Sequence, residues 1–370
     1  MQIALIGFSK SGKTTVFNAL TGAHAEVSAY SLGKAQTHRA TVQAPDERLE
    51  PLCAFFHSKK MVRATIDYVD PVGMRRDEAG RGAALGDDML HAIADADALA
   101  AVVRGFDDGS GIAPDPEGDL EAISLELILS DLQKVDNRLE RIESQAQRVG
   151  AEQRKAFQEE GALLERLKEA LEAGRPARTL EFTTDEGRAL RSFQFLTTKP
   201  LVAVFNTGDP SETGSGASAA QAGAGSPSDP GDKSAVIARR LALCGQTEME
   251  IAQLEPEERA EFLKEYGIGD AGASRMIRAS YDALDLVSFF TGNARETRAW
   301  TIPRGSSALQ AAGSIHSDME RGFIRAQVAR WDDLLRAGSI AEAKKHAALR
   351  LEGKDYIVQD GDVIEIMFSV

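Results

Sequence analysis

The chain is poor in cysteine and in aromatic residues, and it lacks long apolar runs. Its two cysteines, Cys53 and Cys244, lie far apart among 370 residues and form no metal or redox motif. This excludes a disulfide framework and favours a reducing compartment. No apolar run approaches the length of a membrane span, and no basic N-terminal segment precedes a long apolar one. We therefore expect a cytoplasmic protein with neither a membrane partner nor an export signal.

Basic residues are also in deficit, with 43 Lys and Arg against 57 Asp and Glu, which gives a formal net charge of −14. Such a balance argues against broad non-specific nucleic-acid binding, so no DNA partner is expected. The net charge is still compatible with a basic patch on one part of the surface. The length allows two or three domains with substantial cores.

The clearest motif lies near the N-terminus, where residues 3–6 form a short apolar run followed by the sequence GFSKSGKT at 7–14. Two glycines five residues apart and then Lys-Thr are typical of a loop that binds phosphates. A buried strand is expected before it and a helix after it, stopped by Gly22. Lys13 would stabilise the β- and γ-phosphates and is the one catalytic candidate, while the Thr14 hydroxyl would ligate Mg²⁺.

A second phosphate motif is indicated by Asp70, which ends a strand predicted over residues 64–70, and by Gly73 three residues later. The aspartate would reach Mg²⁺, and the glycine N–H would sense the γ-phosphate. Met74 comes next, where many switch GTPases carry a glutamine that orients the attacking water. Because methionine cannot do this, we expect slow intrinsic hydrolysis or a water positioned by another group.

A base-recognition motif is predicted where a buried strand over residues 200–205 runs into Asn206, Thr207 and Asp209. GTPases commonly place Asn-Lys-x-Asp here, and the aspartate binds guanine. Threonine is too short to cover the base as lysine does. The segment around Cys244 and Gly245 would offer backbone N–H groups to the base, with Cys244 as a small packed residue. The residues expected to bind the nucleotide are Gly7, Lys10, Ser11, Gly12, Lys13, Thr14, Thr15, Gly73, Asn206, Thr207, Asp209, Cys244 and Gly245, and those expected to bind the metal are Thr14 and Asp70.

Two long helices are predicted in the middle of the chain. The first carries a seam of apolar residues spaced alternately by three and four: Leu125, Ile128, Leu132, Val135, Leu139, Ile142, Ala146 and Val149. The second, over residues 152–173, would turn Ala156, Leu163, Leu167 and Ala170 inward. Together they indicate an antiparallel helical hairpin. Residues 211–232, rich in Gly, Ser and Ala, are expected to form a flexible loop.

The last ninety or so residues read as short strands and turns. Residues 360–362 predict a turn of a β-hairpin between strands at 356–358 and 363–368. A basic group precedes it, formed by Lys344, Lys345, His346 and Arg350. This group is interpreted either as a contact for RNA or the ribosome or as an ordinary solvated helix face, and the sequence does not decide between them.

The order of these motifs resembles the Obg-related YchF subfamily of P-loop NTPases, the Obg-like ATPases, over nearly the whole chain. The most specific segments are residues 298–301 (RAWT), 322–326 (GFIRA) and 351–363 (LEGKDYIVQDGDV). The resemblance implies an α/β fold: a Ras-like P-loop NTPase domain at 1–122 and 186–278, a helical coiled-coil insertion at 123–185, and a C-terminal β-grasp-like TGS domain at 279–370. It also implies a regulator linked to translation or stress that binds ribosomes and hydrolyses ATP in preference to GTP.

This chain departs from the family pattern at three places. The phosphate loop reads KSGKTT at residues 10–15 where the family usually has Asn-Val-Gly-Lys-Ser-Thr, a change that keeps the chemistry. The position of the family's switch threonine falls on Lys34, whose ammonium cannot ligate Mg²⁺. The ammonium could instead pair with the γ-phosphate, or Thr37 could replace the threonine after a local shift, and Thr41 is a further candidate. The family usually has glutamate where Asp209 stands, so family habit favours ATP while Asp209 favours GTP. The preference between the two nucleotides stays open.

Three functions follow as hypotheses. The first is a slow, Mg²⁺-dependent ATP or GTP phosphohydrolase that switches state with the γ-phosphate. The second is a nucleotide-sensing binding protein with negligible hydrolysis. The third is a module that docks on RNA or a ribosome and whose affinity is only tuned by nucleotide.

Overall fold

The computed structural model describes residues 1–22, 26–32, 35–76, 83–146, 148–208, 237–265 and 271–369. The chain divides into two compact units. The first unit consists of Met1–Val42 and Asp67–Ala283, and the second of Gln43–Ile66 and Leu284–Val370. Lys34, Asp209 and the loop predicted over 211–232 fall outside the described residues.

The first unit is built on a seven-stranded sheet. Its strands are β1 (Gln2–Ile6), β2 (Glu26–Leu32), β3 (Ala35–Gln43), β5 (Thr65–Asp70), β8 (Ala98–Gly105), β9 (Leu201–Thr207) and β10 (Arg239–Leu243), in the order β10-β9-β8-β1-β5-β3-β2. The five strands from β10 to β5 are parallel to their neighbours, whereas β2 and β3 are antiparallel. The central strands β1, β8 and β9 are mainly apolar because helices cover both faces of such a sheet. The predicted strands that flank the phosphate motifs are therefore confirmed.

Helices connect these strands. They are α1 (Lys13–Thr21), α3 (Asp87–Ala94), α4 (Pro116–Ala146), α5 (Ala151–Glu172), α6 (Thr184–Arg191), α7 (Gly245–Gln253), α8 (Pro256–Glu265) and α9 (Gly272–Ala283). As predicted, α1 ends at Gly22, whose φ of 46° is favourable for glycine and whose N–H bonds the carbonyl of Asn18. A short two-stranded sheet pairs β6 (Arg75–Arg76) with β7 (Ala83–Ala84).

The predicted helical hairpin is present, with α4 packed on α5. Val135 and Ile142 of the seam are buried in its core with Leu163 and Leu167. Two expectations are wrong. Leu125 is 53 % exposed, because the first turns of α4 instead bury Leu120, Ile123 and Leu127 against the core of the parallel sheet, and Ala156 is exposed near the tip of the hairpin.

A buried carboxylate anchors the hairpin to the sheet. Asp131 of α4 is completely buried and accepts hydrogen bonds from the N–H of Leu196 (2.9 Å), the N–H of Thr197 (2.7 Å) and the Thr197 hydroxyl (2.6 Å). These residues lie directly before β9. Burial raises the pKa of Asp131, while the three donors act in the opposite direction. The buried carboxylate of Asp131 therefore depends on all three of these hydrogen bonds.

The second unit is built on a six-stranded sheet. Its elements are α2 (Leu49–Phe55), β4 (Lys60–Val62), β11 (Leu286–Gly292), β12 (Glu296–Pro303), α10 (Ala308–Ile315), α11 (Ser317–Arg321), β13 (Phe323–Arg330), α12 (Trp331–Ala337), α13 (Ile340–Lys345), β14 (Arg350–Glu352) and β15 (Asp362–Phe368), with the strands in the order β14-β13-β15-β11-β12-β4. The central strands β11 and β15 are parallel, each with an antiparallel neighbour on its outer side, and Ala308 and Ala311 of α10 lie in the core. This is the order of a β-grasp fold.

The C-terminal hairpin prediction is wrong. Strand β15 pairs with β13 and β11, and residues 356–358 contribute only an isolated bridge between Ile357 and Ser307. The turn at residues 360–362 is present, but Asp362 accepts bonds from the Tyr356 hydroxyl and the Gln359 N–H (2.8 and 2.9 Å), which ties the preceding segment to the strand by side-chain contacts. Local turn chemistry does not determine which strand becomes the partner.

The expected domain limits also need correction, because the segment between β3 and β5 belongs to the second unit, whose limits there are Gln43 and Ile66, and not to the NTPase domain. Strand β4 continues the second sheet beside β12, with Met61 opposite Thr297. Arg48 donates to the Asp360 carboxylate at 2.7 Å and lies over the Phe290 ring. The first unit ends at Ala283, five residues beyond the expected limit of 278.

Within the described part of the chain, no helix is both long and apolar enough to cross a membrane.

The Asp131 contacts lead to a prediction about stability. Asp131→Ala leaves three buried donors without an acceptor and should lower the free energy of unfolding by about 2–4 kcal/mol. Asp136→Ala is the matched control: Asp136 also lies on α4 but is 44 % exposed in its pair with Lys168, so a loss below about 1 kcal/mol is expected. Urea denaturation measures both, and equal losses would contradict the anchoring role.

Candidate nucleotide-binding site

The phosphate loop lies between the end of β1 and the start of α1, and two of its glycines are required by space. A Cβ atom on Gly7 would lie 2.4 Å from the Val102 carbonyl oxygen, and one on Gly12 would lie 2.0 Å from Nδ2 of Asn206. Gly12 caps α1 with a left-handed conformation, φ 81°. The first N–H groups of α1 are thereby directed into the loop, where they suit an anion.

The two phosphate motifs meet at one buried carboxylate. Lys13 is buried and forms an ion pair with Asp70, and it also donates to the carbonyl of Pro71. Thr14 Oγ1 donates to the other oxygen of Asp70 at 2.9 Å. Residues that were predicted from separate stretches therefore form one cluster of a cation, a hydroxyl and a carboxylate.

The remaining residues of the loop occupy different environments. Ser11 is buried, and its hydroxyl has no hydrogen-bond partner among the described residues. Lys10 is exposed and has a positive φ of 69°, while Thr15 lines a neighbouring cleft. A buried hydroxyl without a partner is costly unless a ligand accepts or donates a bond there.

Gly73 and Met74 are held against the phosphate loop by backbone bonds. The Met74 N–H donates to the Gly7 carbonyl, and the Ser9 N–H donates to the Met74 carbonyl, both at 2.9 Å. The Met74 side chain is 1 % exposed and packs in the hydrophobic core with Phe8. It therefore fills the core below the loop and takes no part in the polar cluster.

Asn206 links the phosphate loop to the start of α7. Its Nδ2 donates to the Ser11 carbonyl at 3.0 Å, and its Oδ1 accepts from the Gly245 N–H at 2.9 Å. Both amide atoms of this buried side chain are thus used. Cys244 is also buried, as predicted, and its sulfur accepts a bond from the Thr247 hydroxyl at 3.3 Å.

A cleft of about 640 Å³ opens beside Asn206. Among the predicted residues, Gly12, Thr15, Asn206, Thr207 and Cys244 line it. The Thr207 hydroxyl also donates to the Leu243 carbonyl at 3.4 Å. Segments at the carboxyl ends of four neighbouring parallel strands, β1, β8, β9 and β10, thus border one cavity, which is where open α/β sheets bind ligands.

The sequence interpretation missed six residues that line this cleft: Gly105, Phe106, Asp107, Gly208, Gln246 and Met249. The Phe106 ring lies close to Gly12, and its Cβ lies close to Gly208. Phe106 and Asp107 directly follow β8, so their position at the carboxyl end of a central strand was a usable signal. Arg104 holds this loop by donating to the Phe106 carbonyl and to Asp108, both at 3.1 Å.

The candidate switch threonines Thr37 and Thr41 both lie on β3, the strand beside β5. Thr37 is buried within β3, and Thr41 donates to the carboxylate of Asp67 at 2.6 Å. The Thr41 side chain therefore ties β3 to β5 in this conformation. Lys34 and Asp209, the other two residues of interest for the switch and the base, lie outside the described residues.

Comparison with known proteins gives matches over the whole chain. A family model described as a 50S ribosome-binding GTPase matches residues 2–149, and the YchF-GTPase_C model, described as a protein of unknown function, matches residues 286–369. The chain is 38 % identical to the "Ribosome-binding ATPase YchF" of Bacillus subtilis, covering 100 % of both chains. It is 35 % identical to the protein of the same name from Escherichia coli O157:H7, covering 100 % of this chain and 99 % of the relative.

A solved structure also matches over nearly its full length. It is that of the Schizosaccharomyces pombe YchF GTPase, at 26 % identity and a TM-score of 0.79, covering 99 % of this chain and 97 % of the other.

The double role of Asn206 leads to a prediction about affinity. Asn206→Ala removes both ties between the phosphate loop and the start of α7, so ATP and GTP should each bind about tenfold more weakly. Calorimetry on the full chain measures this, with Asn137→Ala, an exposed asparagine of α4, as the control. Unchanged affinities for both nucleotides would show that the Asn206 ties do not support nucleotide binding.

Proposed function

The chain belongs to the YchF family of P-loop NTPases, and from this premise we propose that it is a slow, Mg²⁺-dependent nucleoside triphosphatase that acts as a nucleotide-dependent regulator on the ribosome. The observation that carries the proposal is the convergence of Lys13, Thr14 and Asp70 at the N-terminus of α1. A buried lysine, a hydroxyl and a carboxylate are the groups that phosphoryl transfer requires from such a site.

The triphosphate would lie in the loop between Gly7 and Thr14. Backbone N–H groups and the N-terminus of α1 stabilise its negative charge, and the Ser11 hydroxyl is a buried group that a phosphate oxygen would satisfy. Lys13 would exchange its contact with Asp70 for the β- and γ-phosphates. The pair keeps the buried ammonium compensated before the nucleotide binds.

The donor set near Asp70 fits Mg²⁺. Thr14 Oγ1 and Asp70 Oδ2 are hard oxygen ligands 2.9 Å apart. Within the described residues, no group of three or more His, Cys, Asp or Glu side chains could hold a metal ion. Mg²⁺ would therefore complete its shell with water and phosphate oxygens, as it commonly does, and it would neutralise charge on those oxygens.

The purine would occupy the cleft bordered by Phe106, Asn206 and Thr207. The Phe106 ring offers a face against which a base can stack. The Thr207 hydroxyl is engaged with a backbone carbonyl, so this residue contributes its small methyl-bearing surface and little specificity. Either ATP or GTP is compatible with this lining, and the carboxylate of Asp209 is the sequence feature that favours GTP.

Slow turnover follows from the position of Met74. Its side chain is packed in the core. Many switch GTPases have a glutamine at this position whose amide orients the attacking water, and this chain has no such amide there. The same observation favours the second candidate, a nucleotide sensor with negligible hydrolysis. The two are separated by single-turnover measurements of the chain without partners and with added ribosomes.

The ribosomal role rests on the relatives, whose names describe ribosome-binding ATPases. The distribution of charge supports it. The second unit contains 15 Lys and Arg and 15 Asp and Glu, so the whole net charge of −14 resides on the first unit. The second unit is therefore the one that can approach RNA without net repulsion.

Removing the lysine tests the enzyme proposal. Lys13→Ala should reduce the rate of single-turnover hydrolysis of ATP and GTP by at least about a hundredfold. The variant lacks the preorganised positive charge that stabilises the transferred phosphoryl group. Chelation of Mg²⁺ should have a similar effect. Lys155→Ala, an exposed lysine of α5, is the control. If the wild type hydrolyses no faster than buffer, even with ribosomes, the sensor is the better description.

Met74 provides a second test. Met74→Gln should leave hydrolysis within about twofold of the wild type, because an amide at this position lies in the core and cannot reach the water. It should lower the free energy of unfolding by about 1–3 kcal/mol. Leu129→Gln, at a 49 % exposed leucine of α4, is the control and should be nearly neutral. A large gain in rate for Met74→Gln would contradict the packing argument.

A further inference from the structure

A separate pocket of about 570 Å³ lies in the second unit, lined by Arg330, Asp333, Arg350, Tyr356 and Gln359 with two alanines. We propose that this pocket binds a phosphate group of an RNA strand and so forms an RNA-contact site of the β-grasp unit. The inference rests on the proposed ribosomal function and adds to it the residues and the ligand chemistry of one contact.

The strand pairing brings the two arginines together. Val328 of β13 is opposite Arg350 of β14, which places Arg330, two residues further along β13, at the same end of the sheet. Two guanidinium groups beside one cavity suit a phosphate, because each can donate two parallel hydrogen bonds to its oxygens.

Both arginines keep donors that their protein contacts do not use fully. Arg350 makes a long bond of 3.2 Å to the Tyr356 hydroxyl and pairs with Glu352 at 3.8 Å, beyond hydrogen-bond distance. Arg330 donates to the Asp360 carbonyl at 2.7 Å and pairs with Asp332 at 3.7 Å. Since a guanidinium carries five N–H donors, a phosphate could bind without displacing the short bond of Arg330.

Asp333, the acidic residue in the lining, and the nearby Asp362 each accept a hydrogen bond, although Oδ1 of Asp362 is buried without a hydrogen-bond partner among the described residues. Asp333 accepts a bond of 2.6 Å from Arg336, outside the lining. Asp362, behind Tyr356, is buried and accepts the Tyr356 hydroxyl. Burial and the Asp362 carboxylate raise the pKa of Tyr356 to about 12, so its phenol stays neutral at physiological pH. The pocket therefore presents cationic donors without an unpaired anion of its own in the lining.

The rim of the pocket favours a polyanionic strand over a single anion. Lys344, Lys345 and His346 are exposed and lie immediately before Ala347 and Ala348, which line the pocket. The Tyr356 ring lies under the Arg350 guanidinium, 5.5 Å from the ring centroid, a pair of surfaces on which bases also stack. An RNA chain could thus place one phosphate in the pocket and its neighbours along the rim.

Binding of a short fluorescein-labelled single-stranded RNA to the full chain tests this site. Arg330→Ala/Arg350→Ala should weaken binding by about tenfold or more and should reduce the slope of log affinity against log salt by about 0.7 for each phosphate that the variant no longer neutralises. Arg350→Lys, which keeps the charge but removes the planar fork, should weaken binding less. Thermal unfolding of each variant shows whether the unit remains folded.

The control is Arg295→Ala/Arg321→Ala, which removes the same charge from exposed positions of the second unit outside the pocket. An equal loss of affinity in this control would assign RNA binding to diffuse charge and overturn the site. No RNA binding by the wild type, or full binding by Arg330→Ala/Arg350→Ala, would also overturn it. Stronger competition by poly-glutamate than by unlabelled RNA would assign the pocket to an acidic peptide.

The ribosomal role is tested separately by co-sedimentation of the wild type with ribosomes. If the wild type co-sediments and the pocket variant still binds RNA fully, the pocket proposal fails while the function stands. If the wild type binds RNA through the pocket but does not co-sediment, the ribosomal function fails and the pocket stands.

Discussion

The buried contact of Lys13 with Asp70 is the constraint on which the nucleotide unit depends. An ammonium and a carboxylate are both costly to bury alone, so each requires the other until phosphate and Mg²⁺ can replace it. The pair also joins the start of α1 to the end of β5, with Thr14 bonded to the same carboxylate. Two stretches far apart in the chain can therefore act as one site only because adjacent parallel strands end side by side.

Asn206 makes the second connection, between the phosphate loop and the loop before α7. With the β8 loop that carries Phe106, the ends of four strands, β1, β8, β9 and β10, border one cleft. The phosphate and base regions are consequently not independent, because a shift of the Asn206 amide moves the walls of both. Close packing of Asn206 against Gly12 leaves little freedom for such a shift. The walls of the cleft are therefore held in place without a bound ligand.

The two units have different chemical characters. The first holds the phosphate cluster and all of the net negative charge, whereas the second is balanced and has arginines around an open pocket. Residues 43–66 leave the first unit to complete the second, through β4 beside β12 and through the Arg48 contact with Asp360. The distribution of charge thus matches the proposed division between nucleotide chemistry in the first unit and RNA contact in the second.

The sequence by itself determined the phosphate loop, the buried strands, the helical hairpin and the family. These features depend on local spacing and on apolar runs, which are readable without the fold. Only the tertiary structure decided that Met74 fills the core, that Phe106 borders the cleft, that Leu125 is exposed, and that the strand after residue 361 pairs with β13 instead of its neighbour. Each of these outcomes is set by packing between segments distant in sequence, and periodicity or turn residues carry no information about which distant surface a side chain will meet.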